Sequence, residues 1–424
     1  MRILVIGSGG REHAICHAFA KSSKVTSIFC ANGNAGISNI ATLVDLKPDQ
    51  INELADFAVS QDIDLTFVGG ETSLALGIVD EFESRGLRII GVSKAAARLE
   101  SSKSFAKDFM LRNAIPTAKY KTAFSTSEAI SILQSGEFGD ESMPVVVKAD
   151  GLAAGKGVVV ASDRKEAIDA INDLEALVGK AASATIVLEE CLFGREVSLI
   201  LFCDGDSFAL MPPTRDHKRI GEGDTGPNTG GMGTITDDGL LSDEQMQEII
   251  ETVIMPSIRG CADEGFPFKG IMFLGLMMTD DGTRVLEYNV RFGDPETQAI
   301  LVRLESDFTE ICEAMIEGRL NETVIKWSSG NSACIILASE GYPTKPRVGD
   351  VVNGLDNASD QSDVIVFHAG TRLDEQGKNV LTSGGRVLGV TAVADNLSDA
   401  LSKAYDAVSL IDFDGMQYRR DIGK

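Results

Sequence analysis

A chain of 424 residues is about three typical domain lengths, and its 43% hydrophobic and 24% charged residues are ordinary globular usage, which excludes wholesale disorder. It carries 39 basic against 63 acidic residues, net -24, and no window gathers Lys and Arg beside aromatics, so neither nucleic acid nor an anionic membrane is an expected partner. No apolar stretch reaches the roughly 18 residues that span a bilayer, and the seven cysteines form no C-x-x-C pair, as in reduced cytoplasmic thiols rather than a disulfide frame or a zinc site.

The N-terminus opens on a strand rather than a charged leader, so no secretion signal is expected. Strands at 2 to 6, 25 to 30, 63 to 68 and 88 to 92 alternate with helices near 11 to 20, 51 to 60 and 72 to 84, which predicts a parallel α/β domain. A helical stretch over 98 to 113 ends before Pro116, and a hairpin of 145 to 149 and 157 to 161 then replaces the βαβ rhythm. A helix at 164 to 178 and strands at 185 to 190 and 195 to 203 follow. Residues 212 to 235 show no apolar period and many glycines, so they are expected as one long functional loop. A core helix kinked by Pro256 is predicted over 242 to 265. Strands at 271 to 279 and 283 to 290 precede helices within 296 to 317, and a mostly β block runs from about 331 to the end. Domain boundaries are expected near 102 and 326.

Four segments carry candidate chemistry. The first loop, Gly7 to His13, leaves a strand and enters a helix, a geometry that holds an anion or simply makes a tight turn. It is a poor dinucleotide site, because Glu12 stands where G-x-G-x-x-G needs its last glycine and the second strand ends without an acidic residue for a ribose. His13 and His17, one helical turn apart, lack an acidic third ligand and read as packing groups. Lys148 to Gly157 places two lysines and three glycines at the hairpin turn. That is either a flap over a nucleotide or a glycine-rich turn with solvated lysines; it is not a Walker A loop.

In the strand near 285 to 292, alternation sends Glu287, Asn289 and Arg291 to one face. The carboxylate and amide oxygens suit Mg²⁺ held jointly with substrate phosphates, and Arg291 suits a carboxylate or an acyl oxyanion. Asp294-Pro295 reads as an N-cap and first helical residue. Asp216 to Arg219 and the glycine-rich 224 to 233 segment suit an anion pocket.

Together these segments resemble the ATP-grasp superfamily, and over nearly the whole chain the phosphoribosylamine-glycine ligase family within it. The motifs are GGREH (9 to 13), GNAG (33 to 36), KADGLAAGKGV (148 to 158), DHKR (216 to 219), DTGPNTGGMG (224 to 233), RFGDPETQ (291 to 298), FHAGT (367 to 371), GGRVL (384 to 388) and RRDIG (419 to 423). The resemblance implies an α/β fold with a Rossmann-like N-terminal domain over 1 to 102. A split ATP-grasp core with a small lid at about 118 to 190 would occupy 103 to 325, and a C-terminal domain of mostly β character 326 to 424. It implies ATP contacts at Lys103, Lys148, Gly151, Gly155, Lys156 and Gly157, a hinge at Glu189, Glu190 and Leu192 against adenine, and a ribose contact at Glu196. Mg²⁺ or Mn²⁺ would sit on Glu287 and Asn289, with Arg291, Lys148, Asp216 and Lys218 catalytic. Substrate contacts would come from Gly9, Gly10, Arg11, Glu12, Asn34, Glu71, Arg291, Gly293 and Asp294.

The implied partners are glycine, 5-phosphoribosylamine and ATP, and the implied enzyme is a cytoplasmic monomer. Its reaction would pass through glycyl phosphate. A bicarbonate-using carboxylase of the superfamily and a nucleotide-binding protein without turnover are the alternatives. The 224 to 233 loop and the C-terminal motifs disfavour the first, and intact Lys148, Glu287, Asn289 and Arg291 the second. The chain departs from the family at Asn32 (usually Pro), at Gly70 and Ser73 (usually G-P-E-x-P-L) and at Thr234-Ile235 (commonly Ala-Tyr). Those changes bear on acceptor specificity, a looser loop being the simpler consequence.

Overall fold

The computed structural model describes residues 1–152, 157–180 and 182–424. Its first sheet is parallel, in the order Thr42–Val44, Ser27–Asn32, Arg2–Gly7, Leu65–Val68, Ile89–Ile90, a doubly wound arrangement that buries strands on both faces. The edge strand Thr42–Val44 is short and mostly exposed, which is why apolar patterning did not reveal it. The helix expected at 72 to 84 is two, Glu71–Leu76 and Ile78–Ser84, because Gly77 takes φ +93 between them. Likewise the 98 to 113 stretch breaks at Ser102, whose hydroxyl accepts from the Phe105 N–H and caps a new helix, Lys103–Arg112.

The lid is an antiparallel sheet in the order Tyr120–Ala123, Ile186–Glu190, Val145–Ala149, Val158–Ala161. Val145, Val147, Ala149, Ile186 and Leu188 share a core with residues of the helices Thr126–Gln134 and Arg164–Val178. Strand alternation therefore turns Lys148 and Glu189 to the opposite face.

The largest sheet runs Gly282–Asn289, Lys269–Thr279, Arg195–Asp204, Thr214–Asp216, Gly233–Thr236, Asn331–Ala338, Arg386–Ala394, Val364–His368. It carries the C-terminal strands as a continuation of the central ones. The expected long loop over 212 to 235 is thus wrong in kind. Thr214–Asp216 and Gly233–Thr236 are strands of this sheet, and Arg219–Gly221 pairs with Thr225–Asn228 as a separate ribbon. Their threonines, Thr214, Thr234 and Thr236, are fully buried without being apolar, so no hydrophobic period marks them. The helix at 242 to 265 is interrupted by a π-helical stretch, Ile250–Ile254, just before Pro256, which has no N–H to return to the preceding turn.

The units are packed, not strung. One core joins Leu4, Leu74 and Val92 to Leu199, Leu274 and Tyr288, and a second joins Phe19 and Phe67 to Phe202, Phe292, Phe308 and Phe367. No helix among the described residues is long and apolar enough to cross a membrane, and all seven cysteines are free.

Candidate active site

A lysine on a lid strand, one at a helix start, and two cations just beyond strand ends surround Glu287. Its burial alone would raise its pKa, but Lys218, Lys148, Lys103 and Arg291 together hold it below the ordinary carboxylate range. Asn289 lies two residues on, its Oδ1 accepting from Arg291 Nη2 at 3.0 Å. An ionised carboxylate and an amide oxygen on one strand face are a fitting donor set for Mg²⁺. Among the described residues no three His, Cys, Asp or Glu cluster as a metal cage; Mg²⁺ is commonly held by few protein groups together with water and substrate phosphates.

Each cation already has a partner. Lys148 Nζ sits 2.8 Å from Glu189 Oε1 and 3.2 Å from the Leu286 carbonyl. Lys103 Nζ donates to the Gly151 carbonyl at 3.3 Å. Lys218 Nζ pairs with Glu196 at 2.9 Å. Gly157 anchors the other end of the hairpin turn, its carbonyl accepting from the Ala149 N–H at 2.8 Å. Gly155 and Lys156 lie outside the described residues. At the hinge, Glu190 accepts the Lys119 N–H at 2.7 Å and its own N–H meets the Lys119 carbonyl, while Leu192 lies beyond the strand end.

Arg291 is held by two carboxylates. Glu100 lies 2.9 Å and Glu71 3.3 Å from its guanidinium, which also donates to the Phe292 carbonyl. Burial lifts the Glu100 pKa, and its other oxygen accepts the Val290 N–H at 2.8 Å. Neither Glu100 nor the other partners Lys107, Glu296 and Arg386 was singled out from sequence. The last two do lie in the RFGDPETQ and GGRVL motifs, and Lys107 falls one helical turn after Lys103, which were the available signals.

Asp216 and Glu296 form a second acidic centre. Burial and the Glu296 charge push Asp216 well above the usual range, and burial raises Glu296. Glycines make the room: a Cβ on Gly231 would come 2.7 Å from the Asp216 carboxylate, and one on Gly293 2.3 Å from Glu296. Thr234, at a departure position, donates to Asp216 at 3.3 Å, a contact Ala cannot make. Asp294 is not the helix cap expected from sequence. Pro295 occupies the cap, and the Asp294 carboxylate instead accepts from Gln298 at 2.8 Å and faces Arg386 at 3.4 Å.

The first loop is tightly self-satisfied. Glu12, 2% exposed, accepts the Gly9 N–H at 2.6 Å and pairs with Arg11 at 2.7 Å. Gly7 and Gly69 leave space for that carboxylate, since a Cβ on either would lie within 2.6 Å of it. Gly10 starts the helix, and Arg11 reaches the Phe292 carbonyl at 3.1 Å. Asn34 donates to the Ser8 and His368 carbonyls and accepts from Gly36 and Ile37. Glu12 and Asn34 therefore shape the loop with the atoms expected to touch substrate. His13 and His17 pack on Phe367, and burial pushes them down to about 3 and about 4. Asn32 takes φ +75, which proline cannot adopt, and Ser73 donates to the Pro48 carbonyl at 2.6 Å.

A small antiparallel lid whose lysine faces a metal-competent carboxylate on the central sheet defines the chain as an ATP-grasp enzyme. Family models for the N, ATP-grasp and C domains of phosphoribosylglycinamide synthetase match residues 1–100, 101–297 and 332–424, and the chain belongs to that family. It is 45% identical to the phosphoribosylamine-glycine ligase of Vibrio parahaemolyticus, covering 100% of this chain and 98% of that one, and 43% identical to that of Brucella melitensis, covering 100% and 97%. The crystal structure of the same ligase from Thermotoga maritima superposes with a TM-score of 0.84 at 31% identity, over 99% of this chain and 100% of that one. The biotin carboxylase domain of Hydrogenobacter thermophilus 2-oxoglutarate carboxylase, solved with MgADP and bicarbonate, shares the fold at a TM-score of 0.74 and 15% identity, over 98% and 91% of the two chains.

Proposed function

We infer that the chain joins glycine to 5-phosphoribosylamine at the expense of ATP, giving glycinamide ribonucleotide, ADP and phosphate in purine biosynthesis. The observation that carries this reading is the convergence of Lys103, Lys148, Lys218 and Arg291 on Glu287 beneath the lid. Such a site stabilises a phosphoryl group in transfer by fixed charge and needs no side-chain nucleophile.

Lys103 and Lys148 take the nucleotide phosphates. Glu189, Glu190 and Leu192 border adenine, and Glu196 meets the ribose. Glu287 and Asn289 would hold Mg²⁺, or Mn²⁺ in its place, and the ion would supply charge neutralisation to the phosphates. Arg291 binds the glycine carboxylate and orients an oxygen for attack on the γ-phosphorus. The P–O bond to ADP breaks and glycyl phosphate forms. Asp216 and Glu296, neighbouring buried carboxylates, take the glycine ammonium. The amine of 5-phosphoribosylamine then attacks the acyl carbon, phosphate leaves with the C–O electron pair, and the nitrogen loses a proton. Lys218 neutralises the departing phosphate. A closed lid keeps water from the acyl phosphate.

The acceptor approaches from the first loop, where Gly9, Gly10, Arg11, Glu71, Gly293 and Asp294 form its side of the site, with Glu12 and Asn34 shaping the wall. We divide the chain at 102 and 325 into acceptor-binding, ATP-grasp and C-terminal units, which the limits of the family models support. We place it in the cytoplasm as a monomer, a reading supported by its seven unpaired thiols.

The test is ADP release from ATP and Mg²⁺ with glycine, with and without 5-phosphoribosylamine generated in the assay, while the product is followed by mass. ADP and glycinamide ribonucleotide appearing together only with both substrates is the expected result. Turnover only with another carboxylate or amine overturns the substrate assignment.

A further inference from the structure

Glu189 lies at the root of the lid with 2% of its surface exposed and two lysines on it, Lys148 on one oxygen and Lys107 on the other, each at 2.8 Å. Lys107 is as deeply buried as its partner. Its ammonium also donates to Thr117 Oγ1 at 2.8 Å, and that hydroxyl donates to the Val285 carbonyl at 2.6 Å. Thr117 belongs to the connection that enters the lid, and Glu189 to the strand that leaves it. Val285 lies on the same core strand as Glu287. One ammonium therefore ties both lid connections to the metal-competent strand.

The stoichiometry matters. A phosphate that draws Lys148 toward itself weakens its pairing with Glu189, and a carboxylate left without a counter-ion at 2% exposure carries a heavy penalty. Resting on the assignment of Lys148 to the nucleotide phosphates, we propose that Lys107 is a positioning residue, the resident counter-ion that keeps Glu189 neutralised while Lys148 is handed to ATP. Before binding, two cations share one carboxylate; afterwards each cation has its own anion. Burial and the neighbouring Lys148 charge push Lys107 down to about 8, and transfer of Lys148 to a phosphate takes away that second influence, so the pair that remains is better matched.

In this scheme Lys107→Met locks Lys148 onto Glu189. The Kd of ATP, measured by calorimetry, and its KM rise by at least about 10-fold, while the KM values of glycine and 5-phosphoribosylamine hold within about 2-fold. Adding Glu189→Gln to that variant frees Lys148, since a neutral amide does not retain it, and recovers most of the ATP affinity. A structural role alone predicts the reverse, a double variant no better than the single. With Lys107 pushed down to about 8, the wild type is expected to lose ATP affinity above that pH; Lys107→Arg keeps the charge at every pH and should lack that fall, a readout that does not need the Met variant to fold. Unchanged ATP affinity in Lys107→Met, failure of the double variant to recover, or an alkaline limb retained in Lys107→Arg overturns the proposal. ATP affinity is measured without turnover, so these outcomes stay separate from an error about glycine or the amine.

Discussion

The two sides of the site are built with opposite surpluses of charge. At the lid root, Lys107 and Lys148 share the single carboxylate of Glu189. On the floor, the single guanidinium of Arg291 is shared by Glu71 and Glu100, and beyond it Asp216 and Glu296 face each other. On the proposed reading each surplus matches its ligand: a spare cation for phosphate, and spare carboxylates for a metal ion or an ammonium. Buried charge is tolerated in both places because most of it is compensated within the protein and the remainder is completed by substrate. A chain of net charge -24 thus builds its positive site by local arrangement, not by composition.

The comparison breaks most severely at Glu287, where the two surpluses meet. Glu287→Gln is expected to lower the rate of ADP formation by more than about 1000-fold while leaving the fold intact, since it removes the only carboxylate of the metal pair. Circular dichroism and an ADP assay on the same sample check this, and an unchanged rate removes the metal assignment. Next in size is Arg291→Met, which should raise the glycine KM or lower kcat by about 100-fold. It also strands Glu100 without its cation, so stability should fall by about 3 kcal/mol. Loss of stability with normal glycine kinetics would confine Arg291 to holding the floor together.

How much of this was legible in the sequence follows from the range of the interactions. The helix Arg164–Val178 matches its predicted span because Asp163 caps it and its apolar face repeats locally. The face shared by Glu287, Asn289 and Arg291 follows from strand alternation alone. By contrast Tyr120–Ala123 and Thr126–Gln134 were not singled out, since a four-residue strand with one buried residue gives no period. Thr214–Asp216 and Gly233–Thr236 were taken for loop because, apart from Ile235, their buried positions are threonine and glycine. Lys107 and Glu100 are ordinary charged residues on helices until the fold brings Glu189 and Arg291 to them. Nothing local distinguishes a buried counter-ion from a solvated one.

The acidic surplus has its own signature in pH. Asp216 and Glu296 titrate above unfolded carboxylates, so the unfolded chain releases these protons first. The stability they contribute is present below the ordinary carboxylate range and is lost as pH rises through their raised values. Glu296→Gln should therefore stabilise the substrate-free protein at neutral pH, while weakening glycine binding. In the wild type a proton competes with the glycine ammonium, so glycine KM should rise as pH falls through the pair's titration. The variant should lose most of that dependence. Urea unfolding and glycine KM against pH measure both arms, and a variant both less stable and unaltered in its pH profile would remove the pair from glycine binding.

The smallest expected effect sharpens the comparison from outside the site. Arg419, 2% exposed in the side chain, pairs with Asp224 at 2.7 Å and Asp421 at 2.8 Å and donates to the Arg219 carbonyl at 3.1 Å. Four residues on, the Gly423 N–H donates to His217 Nε2 at 3.1 Å, which leaves the ring proton on Nδ1, facing the Gly233 carbonyl at the same distance. His217 stands between Asp216 and Lys218, so the C-terminal tail fixes a segment that supplies a carboxylate of the floor and a cation beside Glu287. The Asp224 partner is largely exposed, so its ion pair contributes little; the cost of Arg419→Met lies in positioning. We expect kcat to fall about 3-fold to 10-fold with ATP affinity unchanged, because the Lys107–Glu189–Lys148 cluster is untouched. A lowered melting temperature with normal kcat would make the tail a scaffold for the C-terminal strands alone, whereas a fall in ATP affinity would show that the two sides of the site are not independently held.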